Sequence, residues 1–206
     1  MTAAFNRKEV DGLGGLPADL LSNLKIGHEV REIGVPRYYA VFLNQNTAPA
    51  LKNKEIREAL TLALPRQAII KEALGDRAIP ITGPIYPATP GLLITQAGGA
   101  EYLPGQAEEI LEKNGWRKDA DGTRSKKIGQ ETIRLEFEMI IPQIEFLAKT
   151  AELLAAEWQK IGVKIKRAVI GTSEVANDII KTRNYQLIIF GNILKTTPDI
   201  FSFWHS

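Results

Sequence analysis

The stretch that decides the fold is IRLEFEMIIPQIEFLAKTAELLAAEWQKIGVKI, residues 133–165. Every second residue from Ile133 to Met139 is apolar, which predicts a β-strand with one buried face. The apolar residues that follow recur every three or four positions, as on one face of a long helix. This stripe comprises Ile144, Leu147, Ala148, Ala151, Leu154, Ala155, Trp158 and Ile161. Val163 and Ile165 then begin a second strand, so the stretch predicts a strand, a helix and a strand.

The same alternation continues toward the end of the chain. Residues 175–180 have helical periodicity, and residues 187–190, LIIF, are a short apolar run typical of a buried strand. Because a helix returns the chain to the edge from which the next strand starts, these strands should be parallel. The sequence therefore predicts an α/β fold, a mixed sheet with flanking helices. In such sheets, ligands bind beyond the carboxyl ends of the strands.

The first half of the chain contains a shorter version of this pattern. Extended runs are predicted at 28–33 and around 39–43, and a helix is predicted from Lys52 to Pro65, with a second helix after that proline. Residues 75–104 contain five Pro and five Gly, which predicts a long irregular loop. Loops of that length within a domain are uncommon and are often functional.

Composition excludes several classes of function. Cysteine is absent and histidine occurs twice, which leaves no thiolate chemistry and no familiar zinc spacing. The net charge is +2, and the basic residues are scattered, so no nucleic-acid partner is expected. The densest basic cluster, Arg124, Lys126 and Lys127, falls in a turn-rich segment and is predicted to be solvated. We find no catalytic set, no metal site and no cofactor motif, and we expect that the protein is not an enzyme.

Three stretches point to a family. The first, NKEIREALTLALPRQAIIKEALGDRAIPITGPIYP at 53–87, contains Arg57, Ala59, Leu60, Ala63, Arg66, Gly83, Pro84 and Pro87. The second, YLPGQAEEILEKNGW at 102–116, contains Tyr102, Pro104, Ala107, Leu111, Gly115 and Trp116. The third is AELLAAEWQKIGVKI at 151–165. In order and spacing they resemble the family 5 extracellular solute-binding proteins of ABC transporters, which bind dipeptides, oligopeptides or nickel. Pro65 and Leu103 stand where that pattern usually has Asp.

The resemblance implies one lobe of a two-lobed periplasmic binding protein of type II. Residues 1–36 would then be a hinge-proximal segment from the end of the first lobe. Residues 37–206 would be the second-lobe α/β domain, truncated at its C-terminus, because PDIFSFWHS at 198–206 resembles an interrupted family segment. Family members are more than twice this length, so the first lobe, the export signal and the C-terminal return are expected outside these residues.

The ligand-binding surface is predicted from the two loops at the carboxyl edge of the sheet. Its residues are Ile141, Pro142, Gln143, Ile144, Asn192, Ile193, Leu194, Lys195 and Thr196. Peptide-binding members are expected to hold the peptide ammonium with an Asp near the Pro-Asp of the last loop, and no carboxylate precedes Pro198 here. Because Lys195 would repel an ammonium and attract a carboxylate or phosphate, free-amine dipeptides are predicted not to be the preferred ligand.

The resemblance also implies the partners and the compartment. The protein would capture a small solute, an oligopeptide or another, with an anionic solute as one alternative, and deliver it to a membrane ABC permease. It is expected to be a monomer in the periplasm or outside the cell, free or lipid-anchored in its full-length form. Two other hypotheses remain open: a free-standing α/β hydrolase-like enzyme with residues 75–104 as a lid, and a protein-interaction module that uses Phe201, Phe203 and Trp204.

Overall fold

The computed structural model describes residues 1–16, 18–35, 37–83 and 101–193, without the side chains of residues 18 and 19. The helices are α1 Thr2–Asn6, α2 Lys54–Leu62, α3 Arg66–Leu74, α4 Pro104–Lys113, α5 Glu145–Lys160 and α6 Thr172–Glu174, which continues as a π-helical turn, Val175–Ile180. The strands are β1 Arg37–Leu43, β2 Arg117–Lys118, β3 Arg124–Ile128, β4 Glu131–Arg134, β5 Glu136–Pro142, β6 Lys164–Ile170 and β7 Leu187–Ile193.

The chain divides into two units, Met1–Val35 and Pro36–Ser206. In the first unit, the Asn6 side chain connects α1 to a 3-10 helix, Ala18–Asn23, and to the residues after it. Its amide donates to the Asn23 carbonyl at 2.8 Å, and its oxygen accepts from the Lys25 amide at 2.7 Å. The extended run predicted at 28–33 has no regular secondary structure.

The second unit is built on a four-stranded sheet with the order β1-β7-β5-β6. The strands β6 and β7 both pair with β5 in parallel, as the sequence predicts. The first strand, β1, pairs with β7 in the antiparallel sense. The prediction of an α/β fold with a mixed sheet is therefore confirmed. Because β1 runs against its neighbour, it begins at the edge where β7 ends.

The core lies mainly on one face of this sheet. Phe137, Met139 and Ile141 of β5 pack there with the buried stripe of α5, which includes Leu154 and Trp158. Fully burying one such side chain stabilises the fold by about 1.5–3 kcal/mol. The Trp158 indole N–H donates to the Leu60 carbonyl at 3.1 Å, which connects α5 to α2 without leaving a polar atom unpaired. A smaller cluster of Ile140, Ile188 and Val175 covers the opposite face.

One predicted strand is two separate strands in the structure. The alternating run that starts at Ile133 is two strands in two sheets: β4 pairs with β3, whereas β5 pairs with β6 and β7. The change occurs at Leu135, whose amide donates to the Arg124 carbonyl at 2.8 Å and whose carbonyl accepts from the Lys164 amide at 2.9 Å. Alternation alone predicts which face is buried, but it does not identify the strand that pairs with each residue.

The prediction that the basic cluster is solvated is wrong for Arg124, which is buried. Its side chain is 1% exposed, and it donates to the carbonyls of Ile161 at 2.8 Å and Trp116 at 2.8 Å. Glu112 lies 3.4 Å from its guanidinium. Gly162, at φ +85°, leaves room for the stem, since a Cβ there would lie 2.5 Å from Arg124 Cγ. Arg124 therefore fastens the small sheet, β2-β3-β4, to the rest of the unit.

Candidate functional site

The candidate site is the carboxyl edge of the four-stranded sheet. The parallel strands β5, β6 and β7 all end there, and the antiparallel β1 begins there. The loop after β5 is held at this edge, because the backbone N–H of Gln143 donates to the Ile170 carbonyl at 2.8 Å. At the same edge, Ile144 precedes α5, so the first residues of that helix also face the site.

The structure places six of the predicted site residues at this edge. Ile141 and Pro142 end β5 and are buried, with Ile141 only 1% exposed. Gln143 is exposed and Ile144 is 39% exposed. On β7, Asn192 is half-buried and Ile193 is 55% exposed. Leu194, Lys195 and Thr196 lie outside the described residues. The exposed members therefore offer one amide side chain and two isoleucines to a ligand, and the half-buried Asn192 adds a second amide.

Tyr39 lies at the candidate site, although sequence reasoning did not assign it there. Tyr39 lies opposite Gly191 in the antiparallel pair, and its ring covers that glycine so closely that a Cβ there would lie 2.3 Å from Tyr39 Cε1. The ring of Phe146, in the first turn of α5, meets Tyr39 edge-on with centroids 5.0 Å apart. The sequence marks Tyr39 only as a strand residue, because the pairing with residue 191 joins distant parts of the chain.

Arg37 adds a positive charge to the same edge. It lies opposite Ile193, and its Nη1 donates to the Tyr39 hydroxyl oxygen at 3.2 Å. The side chain is exposed, and none of the carboxylates in the described part of the chain forms an ion pair with it. Most of its hydrogen-bonding capacity is therefore available to a ligand.

A shallow open groove of about 480 Å³ lies between α5 and β6. Its lining residues are Ile141, Ala148, Ile165, Arg167 and Val169. Ile141 and Ile165 belong to the same core cluster as Tyr39, so the groove is on the same face of the sheet. The apolar floor can accept an aliphatic or aromatic group of a ligand, while Arg167 supplies one cation at its wall.

The described part of the site carries groups that are suited to binding. No three His, Asp or Glu side chains converge there on a point where a metal ion could be held. The largest pKa change lies elsewhere: burial, reinforced by the Glu157 carboxylate, raises the pKa of Tyr102 to about 12. Glu157 lies near the end of α5, away from the turn that contains Phe146. The edge therefore offers hydrogen bonds, apolar contact and charge.

Comparison with known proteins identifies the family. The family model described as "Bacterial extracellular solute-binding proteins, family 5 Middle" matches residues 1–206. The chain belongs to this family. The predicted family resemblance is thereby confirmed, and the match extends beyond the three motifs to the first 36 residues.

Individual relatives and solved structures share sequence and fold with this chain. Oligopeptide-binding protein AppA of Bacillus subtilis is 24% identical over 197 residues, which is 92% of this chain and 34% of AppA. The structure of AppA in complex with a nonapeptide superposes with a TM-score of 0.80 at 20% identity, covering 97% of this chain and 40% of that one. NikZ from Campylobacter jejuni, in complex with Ni(L-His), gives a TM-score of 0.75 at 23% identity, covering 98% and 38%.

These comparisons confirm the predicted fold, part of a two-lobed binding protein. The chain spans about a third or less of the length of the curated relatives that it matches. In the described residues, no helix is both long enough and apolar enough to cross a membrane. The family to which the chain belongs is one of solute-binding receptors, and the ligands in the two solved complexes are a peptide and a metal chelate.

Proposed function

We propose that this chain is the ligand-binding second lobe of an ABC-transporter solute receptor. The receptor captures a small solute, an oligopeptide or a related molecule, and delivers it to a membrane permease. It acts as a monomer in the periplasm or at the outer face of the cell. Family membership supports this proposal, as do the oligopeptide and metal-chelate ligands of its relatives. Residues 1–36 are proposed to be the hinge-proximal end of the first lobe.

The observation that carries the proposal is the composition of the carboxyl edge. At the ends of neighbouring strands, Gln143, Ile144 and Ile193 present exposed amide and apolar groups, and Asn192 adds a half-buried amide. A ligand that contacts this edge and the opposing lobe at once favours the closed receptor, because its contacts are complete only in that state. Leu194, Lys195 and Thr196 are also proposed as ligand-binding residues, and Ile141 and Pro142 support the surface from the core. Because the Lys195 ammonium would repel another ammonium group, we propose that free-amine dipeptides are not preferred ligands.

Binding by the full-length receptor tests this proposal. Synthetic peptides from dipeptides to nonapeptides are titrated calorimetrically into the receptor and into a Gln143→Ala/Ile193→Ala variant. We expect the variant to lose affinity about tenfold or more, which corresponds to about 1.4 kcal/mol. The loss would come from one amide contact and one apolar contact at the edge.

The chain offers a matched control for this variant. Gln130 and Ile128 are also an exposed amide and an exposed isoleucine, with Ile128 43% exposed, but they lie at the turn between β3 and β4. The Gln130→Ala/Ile128→Ala variant should bind within about twofold of the parent, since surface changes far from a site are usually neutral. Equal affinity in all three proteins would refute the assignment of the edge.

A further inference from the structure

We propose that Arg37 is the specificity residue that selects solutes carrying an anionic oxygen group, a carboxylate or a phosphate. The inference rests on the proposed function and names a ligand class for the same site. It begins from a charge that the fold does not use: Arg37 is exposed at the candidate edge and forms no ion pair with any described residue. A cation that no carboxylate of the described residues neutralises is available for binding an anion.

The strand register directs Arg37 toward the ligand surface. Arg37 and Tyr39 are two residues apart on β1, so their side chains lie on the same face of the sheet. Their partners on β7 are Ile193 and Gly191. Arg37 is thus the neighbour of Ile193, the most exposed isoleucine of the proposed ligand surface.

Tyr39 fixes the position of the guanidinium. Its ring is held between the flat surface of Gly191 and the edge contact with Phe146, and it is half-buried. Arg37 Nη1 donates to its hydroxyl oxygen at 3.2 Å. Part of the side-chain entropy that an exposed arginine loses on binding a ligand is therefore lost already in the free protein.

The same hydrogen bond creates a pair of donors. The Tyr39 oxygen accepts from Arg37, so its own O–H remains a donor, and the guanidinium retains further N–H groups in a planar fork. Carboxylate and phosphate oxygens accept several hydrogen bonds and match this fork. A cationic ligand group placed there would be repelled by the unpaired charge.

Matched peptides on the full-length receptor test the inference. The probes are C-terminally amidated alanine-based oligopeptides with one Glu, one phosphoserine or one Gln at the same position, together with glutarate and inorganic phosphate as small anions. We expect the parent to bind a Glu or phosphoserine peptide at least about tenfold more tightly than the Gln peptide. In the Arg37→Gln variant this preference should fall to about unity. The affinity of the variant for the Gln peptide should stay within about twofold of the parent's affinity for that peptide. Comparing Glu with phosphoserine separates the two sources of the anion.

Two further variants separate recognition from net charge. Lys127→Gln removes the same charge from an exposed position on β3 and should keep the full preference. Arg37→Lys keeps the charge without the fork and should retain only part of the preference.

Each outcome is decisive. Peptide binding without an acidic preference, or with a preference that survives in Arg37→Gln, overturns the inference and leaves the receptor function standing. Arg37-dependent binding of the small anions alone supports the inference and refutes the peptide ligand. No binding of any probe refutes the inference and the peptide ligand.

Discussion

Arg124 and Arg37 are the same side chain in opposite surroundings. Arg124 is 1% exposed, and its donors are used by two backbone carbonyls and a nearby Glu112. Arg37 is exposed, touches one hydroxyl and has no carboxylate partner in the described residues. The first arginine holds the small sheet in place, and the second is available at the edge where ligands are proposed to bind. In this lobe, a structural arginine differs from a candidate binding residue in whether its guanidinium donors already have acceptors. Both side chains carry the same charge.

The largest expected effect is on Arg124. Arg124→Ala leaves the carbonyls of Ile161 and Trp116 unpaired and opens a cavity, so it should lower the free energy of unfolding by about 3 kcal/mol or more. Urea unfolding of the chain, followed by tryptophan fluorescence, measures the change. Arg134→Ala is the control within the same sheet: its ion pairs with Asp119 and Asp121 are partly exposed, and it should cost about 1 kcal/mol or less. Equal losses in the two variants would contradict the structural role of Arg124.

The second largest effect is expected for Gly191→Ala, which should change both the stability of the lobe and binding at the site. In Gly191→Ala the new methyl group would lie 2.3 Å from the Tyr39 ring and 2.9 Å from the Tyr38 carbonyl, so the ring or the strand must move. Overpacking of this kind costs about 1–3 kcal/mol. The same urea measurement should show that loss, and the acidic-peptide preference of the full-length receptor should fall as Tyr39 moves.

Gly105→Ala is the matched control for Gly191→Ala. Nothing lies within 4 Å of a Cβ at residue 105, which is in the first turn of α4. Replacing a helical glycine with alanine there should be neutral or stabilising by up to about 1 kcal/mol. If Gly191→Ala were as stable as Gly105→Ala, the close approach of Tyr39 would be wrong.

A smaller effect depends on pH. Glu136 on β5 and Lys166 on β6 form an ion pair of 2.5 Å, and this contact lowers the pKa of the Glu136 carboxyl. Because the pKa is lower in the folded state, the stabilisation is complete above the ordinary glutamate pKa. It is lost as the pH falls through the folded value. Lys166→Met should cost about 0.5 kcal/mol or less at neutral pH, and this difference should vanish in acid, whereas Lys127→Met should show no such trend.

The smallest expected effect is on the stability of Arg37→Gln. Since Arg37 makes only one exposed hydrogen bond, the free energy of unfolding should stay within about 0.5 kcal/mol of the parent. Its binding preference should nevertheless change about tenfold. A stability loss comparable to that of Arg124→Ala would show that Arg37 is structural and would remove the contrast between the two arginines.

The sequence predicts those features of this lobe that depend on neighbouring residues. The long helix within 133–165, the helix break at Pro65 and the parallel order of the last strands all follow from local periodicity and from the geometry of crossovers. The burial of Arg124 does not follow in this way, because its partners Ile161 and Gly162 belong to a distant turn.

The candidate site is only partly readable from sequence for the same reason. Gln143 and Asn192 could be assigned to one edge, because parallel strands end together. Arg37 and Tyr39 could not, because β1 joins that edge by antiparallel pairing with a strand about 150 residues later. When two strands are that far apart in sequence, their pairing and register cannot be inferred from the sequence pattern without another observation.

The most direct test of the receptor proposal is amide hydrogen exchange of the full-length protein with and without a saturating peptide. Ligand binding at the carboxyl edge predicts slower exchange in residues 37–39, 143–144 and 191–193, with little change in β3 and β4. Unchanged exchange at the edge, or equal protection in β3 and β4, would contradict the proposal that this edge binds the solute.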